Sequence, residues 1–118
     1  MESLLEEHFN PAKRFHERMV GYLDEYSEYL LLVKSDGTLV SHCSIILHFI
    51  DYLHNYHSIT ELDQITASMA NSRFYAKYKT LDEGFIHRNE LKEILRGFFT
   101  FIYGKYGIKN ENLMAALV

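Results

Sequence analysis

From Phe85 to Tyr106 apolar side chains recur with the period of an α-helix, and no segment alternates apolar and polar residues with the period of a strand. At about 100° per residue, Leu91, Ile94, Leu95, Phe98, Phe101 and Ile102 fall on one side. Arg88, Lys92 and Arg96 follow one another at i, i+4, i+8 along one flank of that arc, with Phe99 and Tyr103 among them. Glu90 and Glu93 lie on the opposite flank. A helix that buries one face and sorts its charges to two edges can dock a partner as well as fold.

The same period organises the rest of the chain. Asn10-Pro11 sets an N-cap residue before a proline at the first helical position, where a missing N–H costs least. The helix it starts is expected to run to about Lys34, with Phe15, Met19, Tyr22, Tyr26, Leu30 and Val33 on one stripe. Ser35-Asp36-Gly37 breaks it. Thr38 is expected to cap a second helix, carrying Leu39, Cys43, Ile46, Ile50 and Leu53 and ending near Asn55. Residues from Tyr56 to Ile59 read as a loop. Thr60-x-x-Asp63 resembles a short-armed capping box, and a third long helix is expected from Thr66 to Tyr78. Asp82-Glu83-Gly84 turns the chain into the helix described first, whose end Gly104 and Gly107 fray. Asn110 is placed to cap a last short helix through Leu117. The expected fold is all-α: a compact bundle of four main helices plus a short C-terminal helix, one domain over residues 1–118 with residues 1–10 as a lead-in.

Composition narrows the function classes. The net charge of -4 disfavours indiscriminate nucleic-acid binding, which a basic surplus normally drives, although 12 basic residues suffice for a local patch. The single cysteine, Cys43, permits no intrachain disulfide. With no leader pattern and no long apolar run, a soluble, cytoplasmic protein is expected.

Few constellations could carry chemistry. His48, Asp51, His54 and His57 crowd the end of the second helix, but steps of three residues drift about 60° each around a helix. They read as polar rim residues, and a metal-binding bundle centred on His48, His54 and His57 ranks last among the functions considered. Cys43 occupies an apolar-stripe position without an activating partner at i±4, and reads as a small core residue. The adjacent carboxylates Asp24/Glu25 and Asp82/Glu83 do not face each other on a helix. Lys79 to Glu90 imitates a calcium loop at Gly84, Ile86 and Glu90, but Lys79 and Leu81 stand where anionic oxygens are needed. No phosphate loop, nucleophile elbow or dinucleotide fingerprint occurs. No catalytic residue, metal, cofactor or small-molecule substrate is therefore expected.

In order, the chain carries Tyr22-Leu23-Asp24-Glu25-Tyr26, then Ser35-Asp36-Gly37-Thr38-Leu39, then Phe49-Ile50-Asp51-Tyr52-Leu53 and Leu62-Asp63-Gln64-Ile65-Thr66. The last long helix has Leu91-x-x-x-Leu95-Arg96-x-Phe98-Phe99-x-Phe101, and Gly107-Ile108-Lys109-Asn110 follows it. Over residues 22–117 this order resembles the core-binding domain of tyrosine recombinases (phage-integrase-like proteins), a small SAM-like helical bundle. Glu111 stands where that family commonly has proline, and none of the seven histidines has arginine three residues later, as the family's catalytic pattern requires. The resemblance implies a DNA-clamping fold without strand cleavage: a truncated recombinase, a phage- or mobile-element-derived regulator, or a module reused for protein contacts.

Two functions follow. The first is a non-catalytic module on double-stranded DNA, contacting mainly phosphate through Lys34, Ser35, Thr38 and Ser41 at the first turn and Arg88, Lys92 and Arg96 on the last long helix. The second is an acidic helical protein-interaction module, an adaptor or inhibitor and a candidate homodimer, using Glu25, Glu28 and the aromatic surplus. Neither involves a membrane.

Overall fold

The structure, a computed structural model, describes residues 10–33, 36–81, 84–85 and 87–117. Helix α1 (Pro11–Val33) starts on Asn10, whose side-chain oxygen accepts hydrogen bonds from the N–H of Ala12 at 2.9 Å and of Lys13 at 3.2 Å. Its first-turn donors are thereby satisfied. It buries Phe15, Met19, Leu23, Tyr26 and Leu30. Leu23, not the half-buried Tyr22, continues the core stripe, and Val33 at the stripe's end faces solvent.

Helix α2 (Asp36–His57) begins two residues before Thr38, so Thr38 lies inside it and is not its cap. It also continues through Tyr56 and His57, stopping where Ser58 adopts a left-handed conformation (φ 48°). Ile45, Ile46, Phe49, Ile50, Tyr52 and Leu53 are buried, a wider face than the expected stripe. The cause is position: α1 and the last long helix both pack on α2, and Phe74 sets its ring against Phe49 and Tyr52.

A short 3-10 turn (Leu62–Gln64) follows. Its cap is made by Gln64 and not by the Thr60/Asp63 pair: Gln64 Oε1 accepts from the backbone N–H of Thr60 at 2.9 Å and of Glu61 at 3.4 Å. Thr66 Oγ1 then accepts from Met69 N–H at 3.2 Å and opens the third helical stretch. That stretch is not uniform. Its middle, Met69–Arg73, is π-helical, between a single α-helical step at Ala67 and Ser68 and the regular Phe74–Tyr78, helix α3. Two strands of two residues, β1 (Thr80–Leu81) and β2 (Gly84–Phe85), pair antiparallel with Thr80 opposite Phe85. Phe85 thus belongs to a ladder too short to show alternation, and the long helix α4 (Arg88–Tyr106) starts three residues later than expected. Asp82 and Glu83 lie outside the described residues.

Gly104 stays within α4, and Gly107 ends it by adopting φ 71° and donating its N–H to the Tyr103 carbonyl at 2.8 Å. This is a left-handed cap of the kind glycine supplies without steric cost. Asn110 then caps the last helix, α5 (Glu111–Ala116), accepting from Leu113 N–H at 3.1 Å. Its amide also donates to the carbonyls of Leu62 (3.1 Å) and Ile65 (2.9 Å), tying α5 to the 3-10 turn. The molecule is an all-α bundle, and no helix among the described residues is long and apolar enough to cross a membrane.

Candidate functional site

The bundle closes around Phe49, Phe74, Phe98 and Phe99, all buried. It stays open where the last turns of α1 and the middle of α4 diverge. Between them runs a groove of about 800 Å³, walled by Tyr26, Tyr29, Leu30 and Val33 of α1 and by residues from Glu93 to Lys105 of α4, with His42 of α2 reaching it as well. The α4 wall is shallow because Gly97, Thr100 and Gly104 form it. Gly97 has a second role: a Cβ there would stand 2.6 Å from the Tyr26 hydroxyl. At Gly104 a Cβ would meet nothing within 4 Å.

Aromatic rings fix the groove's floor. Tyr26 packs at 5.7 Å from Phe98 and 5.2 Å from Phe101, and Tyr29 lies 5.6 Å from Phe101. Burial pushes the Tyr26 hydroxyl above its ordinary pKa, so the phenol stays neutral. At one end α1 is fastened to α4: the Tyr106 hydroxyl donates to Glu25, and Lys105 Nζ lies 3.3 Å from Glu25 Oε2. The Tyr106 hydrogen bond, then Lys105, hold the Glu25 carboxyl below its usual range, and Glu25 pushes Tyr106 up to about 12.

Near the groove, apolar side chains are exposed at the end of α1 and in the first turns of α2. Leu31, Leu32, Val33 and Val40 are all exposed, Leu32 to 85% and Val40 to 68%. A helix end that is apolar all the way round is normally buried, and here only Leu30 is. Tyr29 to Val33 is the signal in the sequence that stripe reasoning passes over, because it weighs one face at a time.

The residues expected to meet DNA are only partly brought together. Lys34 and Ser35 lie outside the described residues, Thr38 is placed by its α2 backbone, and Ser41 is exposed on α2. Arg88 is exposed with its guanidinium 5.0 Å from the centre of the Tyr75 ring, a cation–π distance. Lys92 is half-buried. Arg96 is half-buried too; it lines the groove and donates to the Leu117 carbonyl at 3.4 Å. Phe99, expected among these cations, is buried in the core, whereas Tyr103 is exposed with Lys109 Nζ 5.2 Å above its ring.

The histidines face different neighbours. His16 Nε2 lies 2.7 Å from Asp51 Oδ1, and the His16 and His54 rings are 4.9 Å apart. His48 packs on Tyr78, and His57 Nε2 lies 3.0 Å from the Tyr52 hydroxyl. Among the described residues no three His, Cys, Asp or Glu side chains converge on a point where a metal could sit. Cys43 is half-buried; burial, with Asp24 adding to it, raises its thiol pKa and so keeps it protonated. No family model matches the chain, and neither curated proteins nor solved structures yield a match.

Proposed function

We propose that this chain is a non-catalytic helical interaction module that receives a segment of a partner protein in the groove between α1 and α4. One observation carries the reading: Val33, exposed at the end of α1, lines the groove, and Leu31, Leu32 and Val40 are further exposed apolar side chains on either side of the same α1–α2 turn. Apolar surface gathered in one place marks an interaction site far more often than apolar residues scattered singly. The floor of packed rings gives the groove a fixed shape, and Gly97, Thr100 and Gly104 let another backbone come close. Helix-in-groove recognition uses such a trough, anchored by apolar side chains one turn apart. The single cysteine suits a reducing, cytoplasmic setting.

Double-stranded DNA is the competing occupant, through a SAM-like surface of the recombinase core-binding type. In its favour, Arg88 and Lys92 have no carboxylate partner among the described residues. Against it, Arg96 is tied to the Leu117 carbonyl, and Glu93 sits on the groove wall where phosphates would approach. The test pairs two measurements. A photo-crosslinking residue at Val33 should yield a protein adduct in cells, and Gly104→Leu, which fills the groove, should remove it. Fluorescence anisotropy with a mixed-sequence duplex at low salt should show no binding. Tight duplex binding that falls steeply with salt and is weakened by Arg88→Ala would overturn the proposal in favour of DNA.

A further inference from the structure

Two tyrosines are buried in the bundle, and only one of them has its hydroxyl served. Tyr52, 4% exposed, has His57 at 3.0 Å. Tyr26, 5% exposed, has no hydrogen-bond partner for its hydroxyl among the described residues. Buried polar groups are normally paired, and one that is not forfeits the bond it would make with water. The Tyr26 hydroxyl stands over Gly97, where a Cβ would lie 2.6 Å from it, and both residues line the groove. The unpaired donor therefore opens at the groove's floor. From there Gly97, Thr100 and Gly104 continue a low strip at i, i+3, i+7, along one side of α4.

This combination suits a helix better than an extended segment. An extended chain needs partners for a row of its own N–H and C=O groups, and the helices that wall the groove spend theirs on their own ladders. A helix arrives with its backbone paired and needs apolar contact plus one acceptor at the level of Tyr26. Charge does not select the occupant, because Glu93 and Arg96 share the α4 wall and Lys105 is paired with Glu25. We infer that, with the groove as the docking site, Tyr26 is its specificity-determining donor: the partner helix carries a serine or threonine in the middle of its apolar face, and that hydroxyl oxygen accepts from the Tyr26 hydroxyl over Gly97. A short side chain is needed for the two backbones to meet at the low strip. In a helix such a hydroxyl gives its own proton to the carbonyl four residues before it, which leaves its oxygen for Tyr26. Asp or Glu would also accept, but would bring a charge into an apolar trough. Alanine would cover the Tyr26 hydroxyl and leave it unpaired.

Two synthetic peptides of about fifteen residues test this with the full chain. Both carry leucines at i, i+3 and i+7; the residue at i+4 is serine in one and alanine in the other. The serine peptide is expected to bind about fivefold more tightly. Tyr26→Phe should bring its affinity down to that of the alanine peptide and leave the alanine peptide bound as before. That variant gives up no hydrogen bond of the chain itself, so it should melt no lower. Gly104→Leu should abolish binding of both peptides, also without a lower melting temperature, since its Cβ enters open space. Gly21→Ala, on α1 outside the groove and equally unobstructed, should leave binding unchanged. Equal binding of the two peptides, lost in Gly104→Leu, would overturn the role of Tyr26 and leave the groove as the docking site. A serine preference that persists in Tyr26→Phe would do the same. Binding of neither peptide, or binding insensitive to Gly104→Leu, would overturn the groove itself. A dimer by light scattering that Gly104→Leu dissociates would make a second copy the occupant and also overturn the inference.

Discussion

Helix α4 serves two regions of this molecule with opposite solutions to packing. One face of it delivers Leu91, Ile94, Leu95, Phe98, Phe99 and Ile102 into a core where rings of α2, α3 and α4 meet edge to face: Phe49 and Phe74 at 5.1 Å, Phe49 and Phe99 at 6.1 Å. Beside that core Asn110 hydrogen-bonds three backbone partners. Its opposite face turns Gly97, Thr100 and Gly104 towards the groove, and Leu31, Leu32 and Val33 at the end of α1 stand in water. Filled volume with satisfied polar groups is how a chain secures one fold. Small residues facing uncovered apolar ones do little for the chain's own stability, and the function proposed here draws on that difference.

If the two regions differ in this way, substitutions should separate them sharply. Phe74→Ala empties the closed end and should cost about 3–5 kcal/mol, read as a fall in the urea midpoint with little change of slope. Leu32→Ser, at a side chain of comparable hydrophobicity but 85% exposed, should change stability by less than about 0.5 kcal/mol. Similar losses at both positions would mean that the hairpin tip is part of the core. Next comes Asn110→Leu, nearly isosteric and apolar. It strips the cap from α5 and leaves the Leu62 and Ile65 carbonyls without their donor, for a loss of about 2–4 kcal/mol. Thermal melts of that variant beside Asn110→Asp, which keeps the cap acceptor but loses the amide donor, would apportion the two effects.

The closed end is also the better legible of the two. Periodicity marks Ile46, Ile50 and Leu53 and most of α4's buried face, because a core helix must repeat its apolar residues every three or four positions. Asn10 and Asn110 are readable as caps because Asn before a helix offers its side-chain oxygen to orphan N–H groups. Three local features escape such reasoning. The π-helical turn at Met69–Arg73 carries no residue signature, the Thr80–Phe85 ladder is shorter than any alternation, and Gln64 displaces Asp63 because its longer arm reaches the backbone of Thr60 and Glu61. The groove is hidden for a different reason. It depends on how far α1 and α4 diverge, a tertiary quantity, and only the uniformly apolar Tyr29–Val33 run hints at it. The cation series on α4 was legible as a stripe, but not that Arg96 would reach the Leu117 carbonyl or Arg88 the Tyr75 ring.

Two glycines seven residues apart on α4 offer a finer test, with opposite signs. Gly97→Ala gains helix propensity but presses its Cβ on the Tyr26 hydroxyl, and should lose about 1 kcal/mol net. Gly104→Ala keeps only the propensity gain and should add up to about 1 kcal/mol. In a Tyr26→Phe background the hydroxyl is gone, so Gly97→Ala should recover most of its deficit. A double-mutant cycle measures that recovery, and a cycle showing no coupling would mean that Tyr26 does not rest on Gly97.

The mildest effect concerns pH at the end of α2. Burial, with Arg73 adding its charge, lowers the His57 pKa below 6.5, and burial raises that of Tyr52, so the phenol is placed to donate to the neutral imidazole at 3.0 Å. The sign follows from proton counting. Between the lowered folded value and 6.5 the unfolded chain takes up a proton that the folded chain declines, so stability rises with pH across that window. The contribution is complete above 6.5 and is lost as pH falls through the window. Because His57 is only half-buried, screening keeps the effect small, and only a difference measurement isolates it from the carboxylates that titrate lower. His57→Gln, which keeps a side chain able to accept from Tyr52, should flatten the stability profile just below pH 6.5 relative to the unsubstituted chain. Parallel profiles for the two proteins would show that the imidazole at this helix end titrates as it does in the unfolded chain.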